Sequence, residues 1–205
     1  MPSQPEPSPP ESRQPDPQRR SERSRRAILD ATLDLCAEHG YGPVTVEAIA
    51  ARAGVSKKTI YRWWPSKGAV VLEALHEAAD PVSGFPDTGD LRADLLTQME
   101  ALLRGLLGSP RFGRALIGLI ADTHHNVELA HGLQTVLFQP RIDDGRARLA
   151  KAREAGQISP DADLDLAMEL LYGPVYYRLL LHQGDLHGGT ELESLVDHAL
   201  RALAP

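Results

Sequence analysis

Residues 45–68, TVEAIAARAGVSKKTIYRWWPSKG, decide the fold of this chain. Thr45 suits the N-cap of a first helix, and Gly54 can adopt the left-handed conformation that ends it. Ser56 then caps a second helix, and Ser66 caps a third. The segment therefore predicts two short helices joined by a tight turn, with another helix close behind.

Two pairs of apolar residues support these helix starts. Val44 and Ile49 flank the first cap at the positions of a hydrophobic staple, and Val55 with Ile60 repeats the arrangement at the second cap. This spacing predicts a helix-turn-helix, the unit that places its second helix in the major groove of DNA.

The second helix can be oriented from its sequence. At about 100° per residue, Ile60 and Trp64 share an inward face, and Lys58 and Arg62 lie opposite them. Basic, hydroxyl-bearing and aromatic residues flank these faces: Lys57, Thr59, Tyr61 and Trp63. Such groups suit phosphates and base edges, and the alternative is a solvated polar face on an ordinary helix.

The longer stretch EHGY…TVEAIAARAGVSKKTIYRWWPSKGAVV resembles the DNA-binding region of the TetR family of one-component bacterial regulators, over about residues 22–75. The resemblance implies that Thr45, Tyr61 and Lys67 contact the DNA backbone, and that the residues near Lys57 reach bases and phosphates. Trp63 stands where many relatives carry His. The predicted DNA-binding residues are Arg25, Arg26, Thr45, Ser56, Lys57, Lys58, Thr59, Tyr61, Arg62, Trp63 and Lys67.

The composition fits a cytoplasmic globular protein. The chain has 205 residues, of which 42% are hydrophobic. We expect no membrane span and no signal peptide, because no apolar run is long enough and no such segment opens the chain. The single cysteine, Cys36, has helical spacing with apolar neighbours, which predicts a buried packing role.

The net charge of −6 is unevenly distributed along the chain. Residues 19–68 contain ten Lys and Arg against five Asp and Glu, so they carry +5, and the remainder carries −11. A basic headpiece on an acidic body is compatible with DNA binding, because phosphate contacts are local.

The N-terminal segment has a different character. Residues 1–18 contain seven prolines and almost nothing apolar, which predicts a disordered tail. Residues 19–26, RRSERSRR, allow two interpretations: an arm that reaches the DNA backbone or minor groove, or a solvated basic run that leads into the first helix.

The whole chain is predicted to be all-α, with about nine helices. A DNA-binding domain over residues 19–80 would contain helices at about 21–39 and 67–79 around the helix-turn-helix. A ligand-binding and dimerisation domain over residues 81–205 would follow. Its helices are predicted at about 91–107, 111–122, 126–155 (started anew or kinked at Pro140), 161–183 (interrupted at Gly173-Pro174) and 190–203.

The last two helices are more apolar than a monomer surface allows. Pairing with a second copy would form a four-helix interface, as the TetR family commonly does, although these helices would also suit the core of a monomer. Two recognition helices on a homodimer would read the half-sites of a palindromic double-stranded DNA operator.

No motif for catalysis, cofactor binding or metal binding is recognised, so we expect no enzyme, cofactor or metal. His124 and His125, near Asp122, point to different faces of a helix end. The resemblance implies instead a small-molecule pocket in the body for an unknown, mostly apolar effector. Candidate lining residues, each of which would also suit an ordinary core, are Met99, Leu102, Leu103, Phe112, Leu116, Ile120, Phe138, Met168, Tyr172 and Tyr176.

Three functions follow in order of preference. The first is a homodimeric transcriptional repressor that a ligand releases from DNA, with activation also open. The second is a helical ligand-binding or interaction module without specific DNA binding. An enzyme on a helical scaffold comes last.

Overall fold

The computed structural model describes residues 17–79, 85–181 and 189–205, and these residues form helices and no strands. The helices are α1 (Pro17–His39), α2 (Val46–Ala53), α3 (Lys57–Tyr61), α4 (Lys67–Ala78), α5 (Leu91–Leu107), α6 (Pro110–Thr123), α7 (Val127–Leu133), a π-helical turn (Gln134–Phe138), α8 (Gln139–Glu154), α9 (Leu164–Leu181) and α10 (Thr190–Ala202). Because α7, the π turn and α8 are continuous, the described residues hold nine helical segments. The predicted all-α class is confirmed.

The start of α1 corrects the predicted boundary of the N-terminal tail. Residues 1–16 of that tail lie outside the described residues, whereas residues 17–18 already belong to α1. The N–H groups of the first turn of a helix have no partner within the helix, so a proline there loses no hydrogen bond. Pro17 can therefore begin α1.

Side-chain caps fix the ends of the short helices, as predicted. The hydroxyls of Thr45, Ser56 and Ser66 each accept a hydrogen bond from a backbone N–H three residues later. Gly54 ends α2 with φ of 67°, in the left-handed region that glycine occupies without strain. Each hydroxyl cap contributes about 1 kcal/mol, so the sequence defines these helix starts locally.

The second helix of the helix-turn-helix is shorter than the sequence indicated. Its α-helical residues end at Tyr61, and Arg62 to Trp64 continue as a turn. The N–H groups of both Trp63 and Trp64 bond to the Ile60 carbonyl, at 2.9 and 3.0 Å. Ile60 and Trp64 nevertheless face the core, as the periodicity predicted.

Where a new helix or a kink was predicted at Pro140, a π-helical turn over Gln134–Phe138 precedes the start of α8. Pro140 cannot donate a hydrogen bond to the preceding turn, and its ring crowds the carbonyl four residues earlier. The wider turn relieves that crowding before α8 begins at Gln139.

The interruption predicted at Gly173-Pro174 is wrong, because α9 runs through both residues. A proline inside a helix costs about 3 kcal/mol. The buried side chains of α9 offset that cost, since each Val, Leu or Met among them contributes about 1.5–3 kcal/mol when it leaves water. These residues are Ala167, Met168, Leu171, Val175 and Leu179.

Helix α6 joins the N-terminal helices to the rest of the molecule. It packs against α1, α4, α5 and α7. Arg111 pairs with Asp34 on α1 at 2.7 Å, and Arg114 donates to the Ala37 carbonyl at 2.7 Å. A displacement of α6 would therefore move α1 and α4.

A buried ion pair holds α5 against α8. Arg148 donates to Asp94 at 2.8 Å, and both residues are almost fully buried. Asp94 also accepts from the Thr88 hydroxyl at 2.7 Å. Burial alone would raise the pKa of the Asp94 carboxyl, but the hydrogen bonds from Thr88 and Arg148 outweigh burial and lower it.

Candidate nucleic-acid interface and body cavity

The outer face of α3 presents the predicted recognition residues to solvent. Lys57, Lys58, Tyr61 and Arg62 are exposed, and the Tyr61 side chain keeps 53% of its accessible surface. Thr59 is half-buried, and its hydroxyl lies 2.9 Å from that of Ser56. Cationic and hydroxyl groups therefore stand together on a surface with no packing role, which is where phosphate and base contacts are made.

Lys57 is engaged with an acidic neighbour on α2. Its ammonium lies 3.0 Å from the Glu47 carboxylate, and both side chains are more than half exposed. An ion pair this exposed is weak because solvent screens it, so a phosphate can replace Glu47 at little cost. The pair is compatible with the predicted role of Lys57.

The two tryptophans that follow α3 have different environments. Trp64 is buried, as predicted, whereas Trp63 is half-buried with its ring centroid 5.3 Å from that of Trp64. The Arg62 guanidinium lies 5.8 Å from the centroid of the Trp63 ring. Trp63 thus supports Arg62 at the edge of the recognition surface.

The basic run at residues 19–26 lies within α1 and is not an extended arm. Arg26 is exposed on this helix. Arg25 is half-buried and donates through Nε to Glu73 of α4 at 2.8 Å, and it also pairs with Glu77 and Glu22. Its guanidinium is thus occupied within the protein, which the sequence did not indicate.

Lys67 also has partners inside the protein. Its ammonium donates to the carbonyls of Tyr41 and Gly42 at 3.1 and 3.3 Å, and it lies 4.0 Å from the centroid of the Tyr41 ring. Lys67, at the start of α4, therefore holds the turn between α1 and α2. The sequence resemblance implied only a phosphate contact.

Tyr41 connects this turn to α6. Its hydroxyl donates a short hydrogen bond to Asp122, and Gly118 leaves no room for a Cβ beside the Tyr41 side chain. Burial and the Asp122 carboxylate both raise the pKa of Tyr41. The C-terminal half of α6 thus contacts the same turn that Lys67 holds.

A cavity of about 620 Å³ lies among α5, α6, α7, the π turn, α8 and α9. Six predicted pocket residues line it: Leu102, Ile120, Phe138, Met168, Tyr172 and Tyr176. The volume lies within the range of small-molecule sites, and most of the lining is apolar.

A second cavity of about 410 Å³ extends towards the ends of α1 and α4. Phe112 and Leu116, both predicted pocket residues, line this cavity. Five residues line both cavities: Gln98, Leu102, Phe138, Arg141 and Tyr176. The two cavities therefore adjoin.

Two predicted pocket residues, Met99 and Leu103, line neither cavity. Both lie on α5 and are buried in the core, whereas Gln98 and Leu102 face the cavities from the adjacent side of the same helix. The prediction placed Met99, Leu102 and Leu103 of α5 together along the lining. Because the centre of the apolar face of α5 packs into the core, only the side of the helix that carries Gln98 and Leu102 faces the cavities.

Two polar residues of the cavities, Gln98 and Arg141, were not among the predicted lining residues. The Tyr172 hydroxyl donates to Gln98 Oε1 at 2.5 Å, and Arg141 donates to the Leu137 carbonyl at 2.5 Å. Burial raises the pKa of Tyr172, and it raises the pKa of Tyr176 to about 12. The sequence contained one signal for Gln98. It has helical spacing with the apolar residues Leu95 and Leu102, which places a polar side chain on the apolar face of the helix.

An apolar stripe on α9 remains uncovered. Leu166, Leu170, Leu180 and Leu181 are 39–64% exposed, and Tyr177 lies between them on the same face. Val127 of α7 is also exposed but stands apart from the stripe. Apolar residues exposed one at a time are normal on a protein surface, whereas these residues follow one another along one face of α9.

The described ranges contain no group of three His, Cys, Asp or Glu side chains arranged to hold a metal ion. None of the described helices is long and apolar enough to cross a membrane. Cys36 is fully buried, and this burial raises the pKa of its thiol to about 11.

Two family models match the chain on either side of the segment that follows α4. The model of the bacterial regulatory proteins of the tetR family matches residues 28–74, which include the helix-turn-helix. The model of the tetracyclin repressor-like C-terminal domain matches residues 85–199. The chain belongs to the TetR family. It is a DNA-binding transcriptional regulator of the helix-turn-helix type, as predicted.

Individual TetR-family proteins are similar over most of their length. The HTH-type transcriptional regulator YdeS of Bacillus subtilis is 36% identical over 184 residues, which cover 90% of this chain and 91% of YdeS. The DNA-binding transcriptional repressor TetR of Mycobacteroides abscessus is 30% identical, over 79% of this chain and 85% of that protein. The crystal structure of the TetR-family regulator SCO0332 superimposes with a TM-score of 0.70 at 37% identity, covering 89% and 99% of the two chains.

Proposed function

We propose that this TetR-family regulator is a homodimeric repressor, released from a palindromic operator by a small ligand in the body. The exposed cationic face of α3, on a helix-turn-helix fixed by three side-chain caps, is the observation that carries this proposal. The similar protein of Mycobacteroides abscessus is described as a repressor, which supports repression over activation. A reporter gene placed behind the operator tests this. The wild-type protein should lower its expression as a repressor, whereas an activator would raise it.

We assign the DNA contacts to two groups of residues. Lys57, Lys58, Thr59, Tyr61 and Arg62 would face the major groove, with Ser56 and Trp63 at its edges. Thr45 and Arg26 would reach phosphates beside it. Arg25 and Lys67 have partners inside the protein, so their contribution would be to hold α1, α4 and the first turn in place.

The homodimer would form through α9 and α10, as the sequence indicated. The exposed stripe on α9 supports this interface, because a second copy would cover the apolar surface that a monomer leaves in water. A dimer would also place two α3 helices one helical turn of DNA apart, about 34 Å.

Substitution of the stripe tests the dimer. We expect Leu170→Glu to shift the protein from dimer to monomer in sedimentation velocity, because a charge in an apolar interface is costly to bury. Val127→Glu is the matched control: it places the same charge on another exposed apolar residue, away from the stripe. A dimer that survives Leu170→Glu, or that Val127→Glu dissociates equally, would argue against this interface.

The ligand would act by favouring a conformation that does not fit the operator. It must bind that conformation more tightly than the DNA-bound one, since equal affinity for both shifts nothing. Helix α6 supplies a route: Ile120 and Thr123 line the larger cavity, while Asp122 between them holds Tyr41 of the first turn. Asp122→Asn would then weaken release by ligand more than it weakens operator binding.

We retain the predicted division into a DNA-binding unit up to residue 80 and a ligand-binding and dimerisation unit from residue 81. The two family matches, 28–74 and 85–199, support it. We further propose that the protein acts in the cytoplasm without membrane attachment and has no catalytic activity. The family consists of transcriptional regulators, which supports this view.

A further inference from the structure

The junction between the two cavities is lined by groups that donate hydrogen bonds. Gln98, Arg141 and Tyr176 are the polar residues among the five that line both cavities. Leu102 and Phe138 are the other two, and the Phe138 ring packs edge-on against Tyr176 with centroids 5.6 Å apart. A polar site of three side chains thus lies inside a mainly apolar enclosure.

Arg141 is a cation without an acidic partner. Within the described ranges no carboxylate lies within 4.0 Å of its guanidinium, and its hydrogen bond goes to the Leu137 carbonyl. Three other cationic side chains on α8 differ in this respect: Arg146 pairs with Asp165, Arg148 with Asp94 and Lys151 with Asp87. An arginine that lines an apolar cavity without a counter-charge would gain from an anion.

The other two polar side chains also have donors to spare. Gln98 Oε1 is occupied by the Tyr172 hydroxyl, which leaves the amide N–H₂ of Gln98 as its free function. Among the described residues, neither that amide nitrogen nor the Tyr176 hydroxyl has a hydrogen-bond partner, and neither atom is fully buried, so both remain accessible from the cavity. Guanidinium, amide N–H₂ and phenol O–H together make a donor set suited to a carboxylate.

The carboxylates of the larger cavity stand elsewhere on its lining. Asp165 is paired with Arg146, and Glu169 is exposed one helical turn further along α9. They would repel an anion from their own side and favour its head group at the junction. The apolar remainder of the lining would then take the body of the ligand. It includes Leu102, Ile120, Leu133, Ile142, Met168 and Leu180.

We propose that the effector is an amphipathic monoanion, an apolar body with one carboxylate, whose head group is held by Arg141, Tyr176 and Gln98. This inference rests on the proposed effector function and names the chemical class of the ligand. Charge-assisted hydrogen bonds to the head group give the anion its advantage over a neutral molecule of the same shape.

The direct test is calorimetric titration of the full-length protein with matched probes. Dodecanoate and naphthalene-2-carboxylate would each be compared with the alcohol of the same skeleton, and dodecyltrimethylammonium would serve as the cationic probe. We expect at least one carboxylate to bind about 10-fold or more tightly than its alcohol, and the cation to bind weakest. Equal affinity of acid and alcohol, a preference for the cation, or no binding by either carboxylate overturns the proposal.

Variants locate the head group. Arg141→Met keeps an apolar stem and should weaken carboxylate binding about 10- to 100-fold while changing alcohol binding less than about threefold. Arg141→Lys should restore part of the loss. Arg146→Met is the control, since it removes a cation of the same cavity that is already paired, and it should change carboxylate affinity less than about threefold. Equal losses in Arg141→Met and Arg146→Met would refute the assignment, and thermal unfolding confirms that each variant is folded.

A second readout separates this inference from the proposed function. If the carboxylate binds through Arg141 but leaves the operator complex intact, the ligand class stands and release by ligand is wrong. If an alcohol or a cation releases the operator as well as the carboxylate does, release stands and the ligand class is wrong.

Discussion

Glu73 on α4 joins two parts of the DNA-binding unit, and its replacement should loosen both. Its carboxylate accepts from the Trp64 indole N–H at 2.6 Å and from Arg25 Nε at 2.8 Å. Trp64 is only 3% exposed, so Glu73→Leu would leave a buried N–H without an acceptor, at a cost of about 1–3 kcal/mol. The partly exposed ion pair with Arg25 adds at most about 1 kcal/mol.

We therefore expect Glu73→Leu to lower the free energy of unfolding by about 2–3 kcal/mol, measured by urea denaturation at fixed protomer concentration. Glu73→Gln should cost less than about 1 kcal/mol, because its amide oxygen still accepts from Trp64. Operator affinity should fall in the same order, since Trp64 closes the turn that follows α3.

Glu77→Leu is the control for this prediction. Glu77 pairs with the same Arg25, but the Trp64 indole N–H donates to Glu73 and not to Glu77, so the loss of Glu77 should cost about 1 kcal/mol or less. If Glu73→Leu and Glu77→Leu were equally destabilising, the Trp64 hydrogen bond would not be the important interaction, and the reasoning would be refuted.

Three further predictions concern the core and the DNA-binding surface. The folded-state pKa of Asp94 is lowered, so its contribution to stability is present above about pH 4 and lost at lower pH. Asp94→Asn should therefore reduce the free energy of unfolding at pH 7 and flatten the acid side of its pH dependence. An unchanged acid side would contradict this. Because the pKa of the Cys36 thiol is about 11, roughly a thousandth of it is thiolate at pH 8. A thiol reagent should therefore label Cys36 only when the protein unfolds. Rapid labelling of the native protein would contradict the burial of Cys36. Lys67→Ala should weaken binding to all DNA sequences alike, because it frees the turn that Lys67 holds, whereas Thr59→Ala should change sequence preference. Equal effects of both variants on every site in a binding assay would refute that division.

Local signals predicted the helix-turn-helix well. The caps at Thr45, Ser56 and Ser66 and the stop at Gly54 depend on residues within one helical turn, so they can be recognised in the sequence. The buried face of α3 was also predicted, because Ile60 imposes it through periodicity.

Contacts between distant segments could not be predicted in this way. Arg25 was a candidate for DNA binding, and only the packing of α1 against α4 shows that its charge is met by Glu73. Tertiary burial likewise carries α9 through Pro174, against the local rule. Which edge of α5 faces a cavity depends on the helices around it, so Met99 was misplaced and Gln98 was missed.

Selection of bound fragments from a random pool of double-stranded DNA by the purified protein tests the central claim most directly. The account predicts one palindromic consensus, with half-sites about one helical turn apart and affinity that falls as salt rises. Recovery of no consensus at low salt would contradict it, and would leave a helical module that binds a ligand or partner without reading DNA sequence.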